Sequence, residues 1–567
     1  MSIWRVKPVS AFEADMKKSE LKRVLTKWGL TSLGIGAIIG GGIFTLTGIA
    51  AHDYAGPALA LSFVIAGVGC LFASLCYAEF ASVLPVEGSA YAYAYGTIGE
   101  IFAWFIGWNL ILEYMMGATT VAVAWSGYFS KLLGLFHIKL PLGLLSDKVT
   151  ATEKLNNAKA VDAVKEYLAT HASATFDQIK SNFANAEFAS AFKSLTTLKD
   201  FKNFATGEGV AKFSEHYSSI DLSGLVFNLP ALLITWVITA ILVKGIKEAA
   251  KTNNIIVVVK IAVVLFVIIV GAFYVDVENW QPFIPTETTT IVDGVEKVNF
   301  GLGGVLTAAT IVFFAYIGFD AVSTQAGEAI NPKKDVPFAI IASLVICTVL
   351  YILVSLVLTG MVRFDQLDVT APVASAFSGV GLKWATLLIT IAATAGLMSV
   401  MLVMMLGQTR IFLGMAKDGL LPNFFKELHP RFLTPHKSTI LIGAIISIVA
   451  AVTPINKVSE MCSMGTLLAF AMVCIAVMIL RYKKPELERP YKTPAVYIVG
   501  TLGVAFNIGL MTFVREETWH TFIIWGALGI LVYFIYGKRN AKLNNPEEFE
   551  RLEKIKGQVD KLRDERK

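Results

Sequence analysis

The 567 residues are 55% hydrophobic and only 16% charged, with a mean hydropathy of +0.63. Soluble domains carry closer to a quarter charged residues, so this balance excludes an ordinary water-soluble protein and points to a bilayer as solvent. The net charge of +6 is modest, and its placement along the chain is more informative than its size.

In chain order, residues 1–28 are basic and mixed, without the short apolar core and small-residue cleavage site of a signal peptide. They predict a cytoplasmic N-terminal arm. Twelve apolar runs follow, near 29–52, 57–84, 97–130, 224–243, 253–275, 301–328, 336–362, 381–413, 438–455, 459–480, 495–514 and 519–537. They lack the alternation of barrel strands, and a bilayer forbids open sheet edges, so an all-α membrane protein of about twelve helices is expected. Segment 141–222, between the third and fourth runs, is rich in Ala, Lys, Asn, Ser and Phe. Helical spacing at Val161, Val164 and Leu168, then at Phe188, Phe192 and Leu195, predicts a small helical insert outside the membrane. Residues 276–300 read as an external loop, and 538–567 as a charged cytoplasmic tail.

Orientation follows from Lys and Arg. With the N-terminus inside, cytoplasmic segments hold 32 of the 49, while the short external loops hold Lys297, Arg363, Lys383, Lys457 and Arg515. The expectation is N-in and C-in at the inner (plasma) membrane. Cys70, Cys76, Cys347, Cys462 and Cys474 all lie in apolar runs without metal-ligand spacing, so free thiols and no metal or cofactor are expected. The lipid bilayer is an expected partner and nucleic acid is not; a small accessory subunit is left open.

Two spans carry anomalies. The first contains the glycine-rich run GIGAIIGGGIF, from Gly34 to Phe44. Each glycine weakens helix by about 1 kcal/mol relative to Ala, and Gly40-Gly41-Gly42 suits a break that a ligand can approach. Close helix packing through the small pair Gly36 and Gly40 explains the same residues. The sixth span places Gly318 and Asp320 mid-membrane, where a carboxylate needs water, a partner or freed backbone groups. Unwinding near Phe314 to Gly318 would supply them. Breaks five spans apart put the two halves of the chain in opposite orientations, the pattern of inverted-repeat transporters. Half-helix N-termini suit a carboxylate and half-helix C-termini suit an ammonium, so paired breaks make a clamp for an amino acid zwitterion.

These motifs, with AGPALALSFVIAG, CYAEFASVLPVEGSAYAYAY, GWNLILEY, FFAYIGFDAVST, EAINPKKDVP, GQTRIFLGMAKDGLLP and RPYKTPAVYIV, resemble the amino acid–polyamine–organocation superfamily, specifically the bacterial relatives of cationic amino acid transporters. The resemblance spans nearly all the chain outside the insert and tails. It implies a five-plus-five inverted fold with two added C-terminal helices, and alternating access around a midplane site. It further implies that backbone at Ala37, Ile38, Gly40, Gly41 and Gly42 holds the carboxylate and part of the amino group. Carbonyls at Phe314, Ala315 and Ile317 would complete the amino site, with Phe314 as gate. Relatives commonly have Thr or Ser where this chain has Gly41.

Lys260 matches the fifth-span lysine of proton-coupled members; a lysine taken out of water can exchange a proton near neutral pH. It also lies close enough to the cytoplasmic end to snorkel. Glu113, mid-span in LILEYMMG, suits either a substrate contact or a pairing with a neighbouring helix. Glu79 and Glu328 lie near cytoplasmic span ends, as inner-gate or interface residues. Met404 and Met405 fall where the family sets pocket size, and their bulk suits small or medium neutral substrates, although core packing explains them as well. The function expected is secondary active amino acid transport, with proton-coupled uptake. A non-transporting sensor or an exchanger would use the same site; a membrane enzyme lacks a nucleophile–base pair, and a pump lacks a phosphate loop.

Overall fold

The computed structural model describes residues 4–8, 25–83, 89–138, 140–171, 225–245, 247–292, 295–432 and 434–544, with positions 178 and 182. All twelve apolar runs coincide with helix. Eight stretches are long and apolar enough to cross a bilayer, one of which, Gly42–Val83, joins the second half of the first span to the whole second span. The fourth, ninth and eleventh spans are the shorter apolar helices Leu229–Lys244, His436–Val452 and Val496–Met511. The chain is a multi-pass membrane protein. Within the expected loop 276–300, backbone pairing of Thr288–Val292 with Val295–Asn299 forms an antiparallel hairpin.

Long-range contacts sort onto two faces. On the face carrying both termini, Lys7 meets Asp418, Leu25 pairs with Ala329, and Arg5 donates to the Leu543 carbonyl. On the opposite face Asp276 N donates to Gly360 O, Phe300 N to Tyr54 O and Asn228 N to Ala451 O. An even number of crossings follows. The two halves match in length as well as in order. The third and eighth spans, Glu100–Leu135 and Lys383–Lys417, have 36 and 35 residues, and the fourth and ninth have 16 and 17. A short helix precedes the third span, Ser89–Thr97, on the terminal face, and another precedes the eighth, Pro372–Gly379, on the opposite face. That inversion is what five crossings per half require.

The first, second, sixth and seventh spans pack on one another, and the third, eighth, fourth, ninth and tenth form the surrounding set, with the fifth against the eighth. Pro372–Gly379 rests on the far half of the first span, and Ser89–Thr97 on the near half of the sixth.

In the insert, Lys148–Thr170 is helical, capped by the Asp147 side chain on Thr150 N at 3.0 Å. Its start is docked, since Ala151 and Leu155 are buried. Val161, Val164 and Leu168 have side chains outside the described set, and Phe188, Phe192, Leu195 and tail residues 545–567 lie outside the described residues altogether. Asp368, in the loop before Pro372–Gly379 on the face away from the termini, accepts from Thr370 N at 2.7 Å and from the Ser375 hydroxyl at 2.6 Å. Burial alone would push its carboxyl up, but Lys131, these hydrogen bonds and Lys154 of the insert hold it below the usual carboxylate range.

On the terminal face, Glu79 is fully buried between two arginines. Arg481 reaches it at 3.0 and 2.6 Å, Arg489 at 3.2 Å, and Thr493 N donates to it at 2.8 Å. The sequence placed Glu79 as a gate or interface residue; here it ties the second span to the tenth and to the RPYKTP connection. Removing one charge from such a buried cluster leaves the others uncompensated, at a cost of about 3 kcal/mol. Glu79→Gln is expected to lower the thermal unfolding midpoint of detergent-solubilised protein clearly, and an unchanged midpoint would refute the structural role.

Candidate functional site

The first span is helical over Lys27–Ile38 and then stops. Ile39 is extended at ψ 104°, and winding resumes as a wide π-type coil over Gly42–Leu46. The sixth is helical over Gly301–Phe313, tightens to a 3₁₀ turn at Phe314–Tyr316, and opens at Ile317 with ψ 134°. Gly318 then takes φ +119°, a conformation side-chain-bearing L-residues rarely adopt, before a 3₁₀ segment over Asp320–Glu328. Both expected interruptions are present. Between the two explanations for the glycine run, the structure uses both, because the broken backbone is also packed closely against neighbouring spans.

The two breaks touch through backbone. A Cβ on Gly42 would lie 2.3 Å from the Ala315 Cα, and one on Gly318 would lie 3.0 Å from the Ala37 carbonyl. Gly40 meets Val400, and Gly41 has Ala124, Leu397 and Phe314 at 3.4, 3.7 and 3.9 Å from its Cβ position. Gly41 is thus the one triplet position with room for a small side chain, and a hydroxyl-bearing one would fit there.

Carbonyls freed at half-helix ends must find donors inside a low-dielectric interior. The Lys260 ammonium donates to Gly36 O and to Ile39 O, the latter at 3.0 Å. Its side chain is 1% exposed, and its stem lies where a Cβ on Gly396 would be 2.6 Å from the Lys260 Cδ. The snorkelling geometry is therefore not adopted: the eighth span leaves a groove that steers Lys260 inward. From the seventh span, the Tyr351 hydroxyl lies 2.9 Å from Ile38 O and 3.0 Å from Ala315 O, bridging the two breaks with one proton. Tyr128 donates to Phe44 O at 2.6 Å.

Asp320 is fully buried and accepts from the Tyr114 hydroxyl at 3.0 Å. Glu113 is also fully buried, with the Thr466 hydroxyl beside it and no ion pair among the described residues. The nearby Cys462 thiol donates to its backbone carbonyl at 3.0 Å. Met404 and Met405 are buried in the eighth span; Met404 Sδ is 3.6 Å from a Cβ position on Gly117, below the break rather than at it. The residues of that span that face the glycines are Leu397 and Val400. The Glu328 side chain lies outside the described set.

Phe314, Ile317 and Ile38 are nearly sealed, at 5%, 3% and 2% exposure. A cleft beside the breaks, lined by Ile43, Phe44, Val264, Val267, Val354 and Val373, is wholly apolar and too narrow for water. The arrangement is a closed one, with the protein's own donors on the carbonyls.

Sequence reasoning missed Tyr351, Tyr128, Ala124, Leu397 and Val400. A hydroxyl in the apolar run TVLYILVSLVL was a signal for Tyr351; the aliphatic neighbours carried none. Gly42→Ala is expected to destabilise by about 2 kcal/mol, because backbone cannot yield as a side chain can, whereas Gly41→Ala should leave the unfolding midpoint nearly unchanged. Equal midpoints would show that the breaks do not abut as described.

Residues 25–535 match the amino acid permease family model. The chain is 38% identical over 543 residues to the methylthioribose transporter of Bacillus subtilis, covering 96% of this chain and 99% of that protein. It is 39% identical over 551 residues to the branched-chain amino acid permease of the same organism, with the same coverages. Similarity to the vacuolar cationic amino acid transporter 4 of Arabidopsis thaliana is 34% over 468 residues, 82% of this chain and 64% of that one. All of these are permeases or transporters rather than enzymes.

Proposed function

The chain belongs to the amino acid permease family, within the amino acid–polyamine–organocation superfamily, and from that premise we propose that it is a secondary active, proton-coupled amino acid importer working by alternating access. The observation that carries this reading is the contact of the two breaks, Gly42 on Ala315 and Ala37 on Gly318. It brings the carbonyl ends of two half-helices and the amide ends of two others to one place. The substrate carboxylate binds backbone amides at Gly40 to Gly42, where the second half of the first span begins. Its ammonium binds carbonyls at Ala37, Ile38, Phe314, Ala315 and Ile317, and Phe314 closes over it.

The side chain then meets Ala124, Leu397 and Val400, which suits a neutral, apolar substrate of small or medium size, as Met404 and Met405 below them also do. Glu113 has no cation beside it among the described residues, which leaves it available to a polar or cationic substrate group. Lys260 serves coupling. Protonated, it holds Gly36 O and Ile39 O and fixes the end of the near half-helix; on losing its proton it loses the charge that strengthens those bonds, and the half-helix is released. The terminal face is assigned to the cytoplasm by the positive-inside distribution, at the plasma membrane.

One specific finding favours a second cargo. A relative as similar as the branched-chain permease is named for methylthioribose, a thiosugar, so the family scaffold is not confined to zwitterions. Purified protein in sealed vesicles, offered a panel of radiolabelled amino acids and methylthioribose with and without an imposed pH gradient, tests both readings. Concentrative uptake of an amino acid under the gradient is the expected result; binding without movement would mean a sensor. Lys260→Ala should abolish gradient-driven accumulation while retaining exchange, and unchanged accumulation would remove Lys260 from coupling. Gly41→Leu should lose at least about 100-fold in uptake, as steric filling of a substrate site does, with Gly41→Ala transporting. Normal uptake by Gly41→Leu would place the site elsewhere.

A further inference from the structure

The inverted halves carry matching fastenings at their short helices. On the face away from the termini, Lys131 near the end of the third span donates to Ser375 of Pro372–Gly379 at 3.0 Å, and Ser375 in turn donates to Asp368. On the terminal face, Asp418 at the end of the eighth span accepts from Tyr91 of Ser89–Thr97 at 2.8 Å. Pro372–Gly379 covers the far half of the first span, and Ser89–Thr97 covers the near half of the sixth. Each fastening therefore ties the cover of one broken helix to the end of a long span in the surrounding set.

Each is completed by a lysine from a segment outside the repeat. At the far fastening it is Lys154 of the insert, which adds positive charge beside Asp368. At the near one it is Lys7, whose ammonium lies 3.0 Å from Asp418 Oδ1 with both side chains at 15% exposure or less. Residues 4–8 are held throughout their length. Lys7 N donates to Tyr95 O at 2.8 Å, Glu100 N to Arg5 O at 2.9 Å, Arg5 to Leu543 O, and the Trp4 ring sits 5.6 Å from Phe102. Gly99, at φ +142°, lies against the Trp4 backbone, where a Cβ would be 3.0 Å away. Terminal segments ordinarily fray. This one is fastened to the covering helix, to the start of the third span and, through Asp418, to the end of the eighth, and none of these contacts touches the first or sixth span.

We propose that residues Trp4–Pro8 are a strap that holds the near-side gate shut, by fixing Ser89–Thr97 over the sixth span, with Lys7 and Asp418 as its release point. Letting go of the strap frees the cover, and the near halves of the first and sixth spans then separate from the third and eighth. The proposal rests on the alternating-access reading.

The test is hydrogen–deuterium exchange of the full chain in nanodiscs without substrate. Lys7→Glu and Asp418→Lys should each speed exchange of peptides covering Lys27–Ile38 and Asp320–Glu328 roughly threefold, the scale of one partly exposed ion pair. The charge swap Lys7→Asp with Asp418→Lys should restore it, and peptides of His436–Val452 should not change. Tyr91→Phe, a milder variant, should act in the same direction. Faster exchange confined to 89–102, or a rise in Lys7→Glu that the swap does not reverse, would overturn the proposal and leave the strap a structural anchor. Wild-type protein that binds but does not move amino acids would instead count against alternating access, separately from the strap.

Discussion

Two stretches of peptide backbone, each leaving helical geometry in the middle of the membrane, lie against each other with no side chain between them. Everything else in the fold serves that contact. Water is scarce at this depth, and each unpaired amide or carbonyl costs several kcal/mol in hydrocarbon. The breaks persist only because donors arrive from elsewhere: Lys260 from the fifth span, Tyr351 from the seventh and Tyr128 from the third. A substrate with an ammonium and a carboxylate offers the same kind of pairing. In the closed arrangement, the protein's own groups hold the carbonyls that such a substrate would use.

The donors divide by where they come from. Tyr351 lies in the set formed by the first, second, sixth and seventh spans, so it joins the two breaks within one body. Tyr128 and Tyr114 reach across from the other set, and Lys260 comes from the fifth span, which packs against both. Motion of one body against the other leaves the Tyr351 bridge intact and must break or re-form the bonds that cross. On the alternating-access proposal the two breaks would travel together, and the crossing bonds would be the ones whose strength decides which face is open. The short covering helices extend the same division to the two surfaces, where span ends and covers are joined by side chains rather than by backbone.

Glu79 and Asp320 show how differently buried carboxylates are used in one chain. Glu79 is neutralised by two guanidinium groups and an amide, and acts as a structural rivet. Asp320 sits in the loosened sixth span with the Tyr114 hydroxyl, and Glu113 has no cation beside it among the described residues. Charges that only hold a fold together are compensated fully. Those beside the breaks are compensated only partly, which is the condition the proposed transport cycle would need of groups that change partners.

Spans, their number and the two interruptions were legible in the sequence because each rests on local chemistry. An apolar run of sufficient length has no alternative to helix in lipid, and three successive glycines, or a glycine beside an aspartate, weaken a helix wherever it is placed. The inverted layout followed from the odd count between breaks, with the lengths of paired spans and the two short helices visible only afterwards. The family motifs located candidate residues around those breaks. What the sequence by itself could not decide was any property that depends on which surfaces meet. Lys260 was equally able to reach the membrane surface or turn inward until Gly396 of the eighth span opened a groove for its stem. Tyr351, Ala124, Leu397 and Val400 gained their places from neighbours far away in the chain. Chain-local energies set where the backbone breaks, whereas packing between distant spans sets what fills the break, because donors and volume there are supplied by side chains whose partners no local pattern encodes.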